Sequence, residues 1–182
     1  MARNIRNIEI RNTMKKHIIK SISLFLFFCT MLVSCGIYSF TGASYGTAKT
    51  VSIDYFPNNA PIVVPTLSNT FVEALKDKFI KQTPMKLVTK DADLAFEGEI
   101  RGYSVTSMAV TAQEVASKNR LMISVRVKFT NKTDDKWSFD KDFSAYDDFD
   151  STQSLSSVQD GLIKTITDKL IEDIFNAAVV NW

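Results

Sequence analysis

Apolar and polar residues alternate with a period of two through the middle of the chain, which is the pattern of strands buried on one face. The clearest case is RLMISVRVKF at residues 120–129. Its odd-numbered positions are all apolar: Leu121, Ile123, Val125, Val127 and Phe129. Because the positions between them are mostly polar, this segment predicts a strand with one buried and one exposed face.

Three other segments are predicted as strands. TVSIDYF (50–56) alternates before a Pro-Asn-Asn turn, and KLVTKDADLAFEGEIRGYSVTSMAV (86–110) alternates over much of its length. We expect Gly102 to mark a bulge in the second of these. WSFDKDFSAY (137–146) follows the polar turn at 130–136, so it should form a hairpin with the strand before that turn.

Two segments have a helical period instead. Residues 65–84 carry one apolar stripe, with Ser68 as the expected N-cap residue. That stripe consists of Phe71, Val72, Leu75 and Phe79. Residues 154–180 carry a wider stripe that includes Leu162 and Ile166. The element order β-α-β-β-β-α therefore predicts an α+β fold, with two helices packed on one face of a four-stranded, mostly antiparallel sheet.

The N-terminal region has the pattern of a secretory signal peptide. Lys15 and Lys16 precede an uncharged, mostly apolar segment at 21–33. A membrane-spanning helix needs about 20 apolar residues, whereas a signal peptide needs roughly 7–15. The sequence LVSC then ends at Cys35 and matches a lipobox, in which a small residue precedes a cysteine that receives a lipid.

The lipobox predicts that Cys35 is lipidated and becomes the first residue of the mature chain. The alternative is an ordinary cleavage site with a cysteine beside it by chance. We expect a signal peptide at 1–34, a lipidated tether at 35–49 and a single domain at 50–182. Because Met14 directly precedes the basic residues, translation is expected to begin there, which makes residues 1–13 an upstream extension.

Removal of the signal peptide changes the charge of the chain. The full sequence has 22 basic and 20 acidic residues, but six basic residues and one acidic residue precede Cys35, so the mature net charge is −3. A negative chain gives no basis for a nucleic-acid partner. His17 and Cys29 are lost with the signal peptide, which excludes disulfides, the common zinc sites and Ser/His/Asp or Cys/His catalysis. We expect no cofactor and no metal.

Three polar motifs have both a functional and a structural interpretation. Glu97 and Glu99 lie two residues apart on one strand face, either as paired carboxylates of a glycosidase or as solvated side chains. The aspartates within 147–150 resemble part of a calcium loop, but the glycine and the distal glutamate of an EF-hand are missing. The sequon at 131–133 is interpreted as a turn, because the lipobox indicates a bacterial chain.

The exposed side of the strand at 120–129 is basic. Arg120, Arg126 and Lys128 recur there at even positions, and Arg101 and Lys118 would join them. Clustered cations favour phosphate or carboxylate ligands. These five residues are the candidate binding site for an anionic ligand, and an ordinary charged strand face is the alternative.

The order and lengths of these segments resemble the LptE family, the lipoprotein component of the lipopolysaccharide-assembly machine. The segments that carry the resemblance are CGIYSF, DYFPNNAP, PTLSNTFVEALKDKF, DADLAFEGEIRGY, NRLMISVRVKFTN and LIEDIFNAAVVNW. The resemblance covers essentially all of residues 35–182, and the fold of that family, two helices against a four-stranded sheet, is the one the periods predict.

The resemblance implies a protein without enzymatic activity, anchored through Cys35 in the outer membrane on the periplasmic side. Its implied partners are an LptD-like β-barrel, which it plugs and helps to assemble, and lipopolysaccharide. The five clustered cations would then be the candidate lipopolysaccharide contacts. An accessory lipoprotein of another outer-membrane complex and a carboxylate-based envelope glycosidase are the alternative functions.

Overall fold

The computed structural model describes residues 46–108 and 117–180, which belong to one compact unit. The predicted signal peptide, Cys35 and all of the tether before Gly46 lie outside the described residues. The regular elements are β1 (Thr50–Ile53), α1 (Leu67–Gln82), β2 (Lys86–Leu87), β3 (Leu94–Ser107), β4 (Lys118–Asn131), β5 (Phe139–Asp150) and α2 (Leu155–Phe175). A 3-10 turn at Asp135–Trp137 precedes β5, and a π-helical turn at Asn176–Val180 follows α2.

The fold is α+β, as predicted, but the sheet has five strands and is mixed. Its strand order is β2-β1-β3-β4-β5. β1 runs parallel to both β2 and β3, whereas β3, β4 and β5 are antiparallel to one another. The parallel pairing is possible because α1 is the crossover that returns the chain to the same end of the sheet.

The fifth strand comes from a segment that we predicted as part of one long strand. Within the predicted strand at 86–110, β2 and β3 are separated by a connection at 88–93, and residues 109–110 lie outside the described residues. Within the connection Asp91 has a φ of 54°, a left-handed conformation that interrupts extended structure. β2 is two residues long, so it carries no periodicity that a sequence pattern could reveal.

Both helices lie on the same face of the sheet. α1 packs over β1 and β2, α2 packs over β4 and β5, and the two helices contact each other. The predicted apolar stripes are buried in one core with the inward side chains of the strands. Phenylalanine rings link the layers, with centroids 5.1 Å apart for Phe79 and Phe96 and 4.8 Å apart for Phe96 and Phe129. Phe79 also lies 5.1 Å from Phe175, which joins α1 to α2.

The chain continues to pair with β3 beyond the end of β1, but with an interruption at Phe56. Asp54 donates its backbone N–H to the carbonyl of Phe96 at 2.9 Å, and Asn59 donates to that of Ile100 at 2.9 Å. Between these two bonds the fully buried Phe56 passes over Gly98. A Cβ atom at position 98 would lie 2.6 Å from the Phe56 ring and 2.0 Å from the carbonyl oxygen of Arg126, so only glycine fits.

The bulge predicted in β3 is present, but α1 begins at a different residue from the one predicted. The β3–β4 register shifts between Ile100 and Gly102, which confirms the bulge and leaves Arg101 without an opposing residue. The N-cap prediction was wrong, because α1 begins at Leu67 after Thr66 and Ser68 lies buried inside the first turn. No helix within residues 46–108 and 117–180 combines the length and the apolar composition that crossing a membrane requires.

Candidate functional site

The predicted cations are brought together on the face of the sheet that the helices leave uncovered. Arg120, Arg126 and Lys128 occupy even positions of β4, opposite in direction to its buried odd positions. Lys118 begins the same strand with the same parity, in register with Asp150 of β5. Arg101 joins them from β3, where it follows Glu97 and Glu99 at odd positions and lies 3.6 Å from Asp142 of β5. We call this surface the outward face.

Carboxylates from β3 and β5 flank the cations on the outward face. Lys128 stands between Glu97 of β3 and Asp140 of β5 in the sheet register, and Arg126 stands between Glu99 and Asp142. Farther along, Arg120 is in register with Asp148. The outward face therefore alternates in charge across the strands instead of forming a uniformly basic surface.

Arg126 forms a two-pronged ion pair with Asp140. Its Nε donates to Oδ1 at 2.7 Å, and its Nη2 donates to Oδ2 at 2.7 Å. This hydrogen bonding lowers the pKa of the Asp140 carboxyl from its ordinary value. Both side chains remain more than 40% accessible, at 43% for Arg126 and 42% for Asp140. The pair is therefore open to solvent, and ions in solution screen it.

Arg120 is held more firmly than Arg126. Its Nε and Nη2 donate to the two carboxylate oxygens of Asp148 at 2.7 and 2.9 Å. The guanidinium carbon also lies 3.6 Å from the ring centroid of Tyr146, a cation–π contact. The Arg120 side chain is 28% accessible. Hydrogen bonds from Arg120 lower the pKa of Asp148, which keeps the pair charged.

Lys128 and Arg101 are paired more loosely than Arg120 and Arg126. Lys128 Nζ lies 3.5 Å from the carboxylate of Glu97, and both side chains are at least half accessible, at 56% and 50%. Arg101 Nε donates to Glu99 at 2.9 Å, and its Nη1 lies 3.6 Å from Asp142. Lys128 is thus the most accessible cation among these four.

A shallow depression lies where β3, β4 and the start of β5 meet on the outward face. It encloses about 320 Å³, and its charged lining consists of Glu97, Glu99, Arg126, Lys128 and Asp140. The two cations lie at one site, as their spacing of two residues predicts, but three carboxylates share it. An anionic ligand would have to displace these carboxylates in order to bind the two cations.

The sequence pattern did not reveal that carboxylates of β5 lie beside the cations of β4. Asp140, Asp142 and Asp148 lie at even positions of FDKDFSAYDDFD, so their alternation was visible. Their opposition to the cations depends on the β4–β5 register, which pairs Asp140 with Lys128. The turn between the two strands sets that register, and its geometry is known only from the structure.

The glutamates proposed as an alternative glycosidase pair are engaged in structural contacts. Glu99 accepts hydrogen bonds from Asn59 at 2.6 Å and from Arg101 at 2.9 Å. These bonds, first from Asn59 and then from Arg101, lower the pKa of Glu99. A glycosidase needs one carboxyl group with a raised pKa to act as the acid, and Glu99 is shifted in the opposite direction.

The aspartates within 147–150 do not converge on a common point. Asp147 pairs with Lys169 at 3.1 Å, Asp148 pairs with Arg120, and Asp150 accepts from the backbone and the hydroxyl of Thr152. In the described part of the chain, no group of His, Cys, Asp and Glu side chains is arranged to hold a metal ion.

The sequon asparagine is part of a turn. Asn131 is fully buried, and its Oδ1 accepts from Thr133 N at 2.9 Å, Thr133 Oγ1 at 2.7 Å and Asp134 N at 3.1 Å. This network is the side-chain turn that Asn commonly forms with the backbone two residues on. The turn interpretation is therefore confirmed.

Comparison with known proteins assigns the chain to a family. The model of the lipopolysaccharide-assembly family LptE matches residues 48–178. The chain belongs to the LptE family. The match confirms the resemblance inferred from the sequence over most of the chain. LptE proteins are lipoproteins without enzymatic activity. No curated protein matches this LptE-family chain.

Several solved structures are similar to this LptE-family chain at low sequence identity. A minor lipoprotein from Acinetobacter baumannii is 12% identical with a TM-score of 0.47, covering 72% of this chain and 92% of the other. A hypothetical protein from Chlamydia trachomatis is 11% identical with a TM-score of 0.48, covering 72% and 98%. The rare lipoprotein B from Shewanella oneidensis is 11% identical with a TM-score of 0.45, covering 69% and 92%.

Proposed function

We propose that this LptE-family chain is anchored at the outer membrane on the periplasmic side and partners an LptD-like β-barrel in lipopolysaccharide transport and assembly. The family match over residues 48–178 is the observation that supports this proposal most strongly. The anchor would be the lipid on Cys35, which lies outside the described residues. Multiple acyl chains hold a soluble domain at a membrane where a single chain gives only reversible binding.

The outward face is the part of the domain that we propose to contact lipopolysaccharide. Arg126 and Lys128 lie together in the shallow depression and are more accessible than Arg120. Exposed ion pairs contribute little net stability, so a phosphate can replace a carboxylate beside Arg126 without a large loss. A planar guanidinium donates two hydrogen bonds to a phosphate in the same two-pronged geometry that it uses with a carboxylate.

Arg120 has a different role in this proposal. Asp148 and the Tyr146 ring hold its guanidinium on two sides, and its side chain is the least accessible of the three β4 residues that form these pairs. We assign Arg120 to the stability of the β4–β5 pairing. The ligand contacts would then be concentrated at the Arg126 and Lys128 end of the outward face.

Affinity purification of the tagged full-length chain from detergent-solubilised membranes tests the partner. We expect a large LptD-like β-barrel to be recovered in stoichiometric amount and identified by mass spectrometry. The matched control is a protein made of residues 1–49 fused to the same tag, since it retains the predicted signal peptide and tether but lacks the domain. Recovery that depends on the domain supports a specific complex.

Two outcomes would contradict the proposed partner. Equal recovery of the barrel with residues 1–49 would mean that only the membrane location brings the two together. Recovery of a different outer-membrane complex, with no LptD-like barrel, would favour the alternative of an accessory lipoprotein for that complex.

A further inference from the structure

β5 forms one edge of the sheet and presents backbone groups away from β4. The carbonyl of Tyr146 accepts a hydrogen bond from Lys169 Nζ at 2.8 Å, and the carbonyl of Asp150 accepts from Gln153 N at 3.0 Å. Neither carbonyl therefore points into the β4–β5 ladder. In an antiparallel pair the direction of these groups alternates along the strand, so the even residues of β5 direct both N–H and C=O to the free edge.

A groove runs between this edge and α2. It encloses about 790 Å³ and is lined on the strand side by Ser144, Ala145 and Tyr146. On the helix side the lining includes Thr165, Lys169 and Asp173, which recur every four residues on one stripe of α2. A sheet edge beside a helix is the geometry in which an extended peptide adds a strand and rests against the helix.

The groove is acidic on its helix side. Three carboxylates of α2 line it, Asp168, Glu172 and Asp173, against one cation, Lys169. Asp168 pairs with Lys164 and Glu172 pairs with Lys78, whereas Asp173 has no ion-pair partner within residues 46–108 and 117–180. This charge favours a cationic segment and disfavours an anionic one such as a phosphorylated lipid.

We propose that the edge of β5 and the groove beside α2 bind an extended segment of a partner protein that carries Lys or Arg at alternate positions. The segment would add to the sheet as a sixth strand. Its backbone would pair with the even residues of β5, and its cations, which share one face because they alternate, would face the carboxylates of α2 in the groove. This groove lies on the helix side of β5, whereas the depression proposed for lipopolysaccharide lies on the outward face, and the ligand of the groove is a peptide segment.

A second copy of this chain is a poor occupant of the same edge. Antiparallel pairing of two β5 strands about Ser144 would place Asp140 of one copy opposite Asp148 of the other. Like charges directly opposite each other destabilise a strand pair. Charged edges also protect natural sheets from unwanted pairing, and Lys169 already occupies one edge carbonyl. The edge around Asp140, Asp142 and Ser144 has no such cover from Lys169.

Hydrogen–deuterium exchange of the full-length chain in detergent micelles tests the proposal. The probe is a synthetic peptide of alternating lysine and valine. Two control peptides are matched to it, one with alternate backbone amides N-methylated and one with glutamate in place of lysine. We expect slower exchange at the β5 amides with the lysine peptide alone, because strand addition needs both the charge and the free amides.

Two substitutions examine the backbone and charge contributions separately. Ser144→Pro removes an edge N–H without removing a bond to β4, and we expect at least about a fivefold loss of affinity. Asp173→Lys should weaken binding and make the remaining affinity less dependent on salt. Asp160→Lys is the matched control, because it makes the same change at an exposed position of α2 that does not line the groove. Unfolding midpoints of all three variants check that the fold is retained.

Three results would overturn the proposal. Equal binding of the N-methylated peptide would show charge attraction without strand addition. Equal effects of Asp173→Lys and Asp160→Lys would place the contact outside the groove. No change in exchange at β5 with any peptide would mean that the edge of β5 does not bind an extended segment. Loss of barrel recovery in the affinity purification would not affect these outcomes, so the two proposals fail independently.

Discussion

Arg126 and Lys128 differ from Arg120 in how firmly neighbouring side chains hold them. Asp148 and the Tyr146 ring confine Arg120, whereas Arg126 and Lys128 each have one accessible carboxylate as an ion-pair partner. Accessible ion pairs exchange partners at low cost. At the scale of single residues, Arg126 and Lys128 are therefore stronger candidates for lipopolysaccharide contact than Arg120.

The double change Arg126→Ala and Lys128→Ala should weaken lipopolysaccharide binding and reduce its salt dependence, because two cations leave the depression. Binding of the full-length chain to purified lipopolysaccharide at several salt concentrations measures both effects. The control is Lys81→Ala with Lys164→Ala, which removes two exposed lysines that pair with helix carboxylates at 2.7 Å each. If both double variants bind alike, the outward face is an ordinary charged strand surface.

Gly98 is required by the close passage of Phe56. Gly98→Ala would drive a methyl group into the Phe56 ring and the Arg126 carbonyl, and overpacking of this kind costs roughly 1–3 kcal/mol. Gly161→Ala is the control, because a Cβ there meets nothing within 4 Å and alanine is the better helix former. Thermal unfolding should show a lower Tm for Gly98→Ala and an equal or higher one for Gly161→Ala. Equal midpoints for Gly98→Ala and the parent chain would contradict the steric argument.

At the scale of elements, β1 is a short strand that one carboxylate joins to the beginning of β3. Oδ2 of Asp93 accepts from Lys49 N at 2.8 Å, Thr50 N at 3.0 Å and Thr50 Oγ1 at 2.9 Å. The Asp93 N–H in turn donates to Thr50 Oγ1 at 2.9 Å. A four-residue strand makes few ladder bonds of its own, so these contacts fix where β1 begins.

The same bonds make the stability of β1 depend on pH. The backbone N–H of Lys49, followed by the hydroxyl and N–H of Thr50, lowers the pKa of Asp93 in the folded state. Because the folded pKa lies below the unfolded one, the stabilisation is present above the unfolded pKa and is lost as the pH falls through the folded pKa. Asp93→Asn should lower the denaturation midpoint near neutral pH, and its difference from the parent chain should shrink in acid.

Asp91→Asn is the matched control for this measurement. Asp91 is 99% accessible, and its nearest cation, Lys132, lies 3.9 Å away. Asparagine also tolerates the left-handed backbone at this position. We expect this variant to unfold like the parent chain at every pH. A pH-independent effect of Asp93→Asn would show that the charge of Asp93 does not contribute.

At the scale of the whole molecule, a folded α+β domain of the LptE family is joined to a predicted lipid anchor. Family membership rests on residues 48–178, and the anchor rests on the lipobox that ends at Cys35. Acyl chains contribute about 0.8 kcal/mol for each buried CH₂ group. A lipid on Cys35 would therefore hold the domain at a membrane without a membrane-spanning element of its own.

Cys35→Ser should leave the precursor uncleaved or release the domain from the membrane. Membrane fractionation and the intact mass of the purified chain distinguish these results from normal lipidation. Cys29→Ser is the control, since Cys29 lies in the predicted signal peptide and should not be modified. Unchanged fractionation and unchanged mass of the Cys35 variant would contradict lipidation at this position.

The sequence by itself determined the type of each long element and the face that it buries. The predicted inward positions of β4 and the predicted apolar stripes of both helices lie in the core, because a period of two or of 3.6 is a local property of a strand or a helix. The bulge at Gly102 could likewise be read from the pattern. The N-cap could not, because Thr66, two residues before Ser68, also carries a hydroxyl and the entry of the chain decides where the helix begins.

Tertiary structure alone decided the features that depend on pairing between distant segments. β2 exists because Lys86 and Leu87 meet β1 after the α1 crossover, and a two-residue strand has no local signature. The outward face carries both charges, because the register of β5 places Asp140 and Asp148 beside the cations of β4. Register follows from turn geometry and from the packing of the other elements, which no window of neighbouring residues contains.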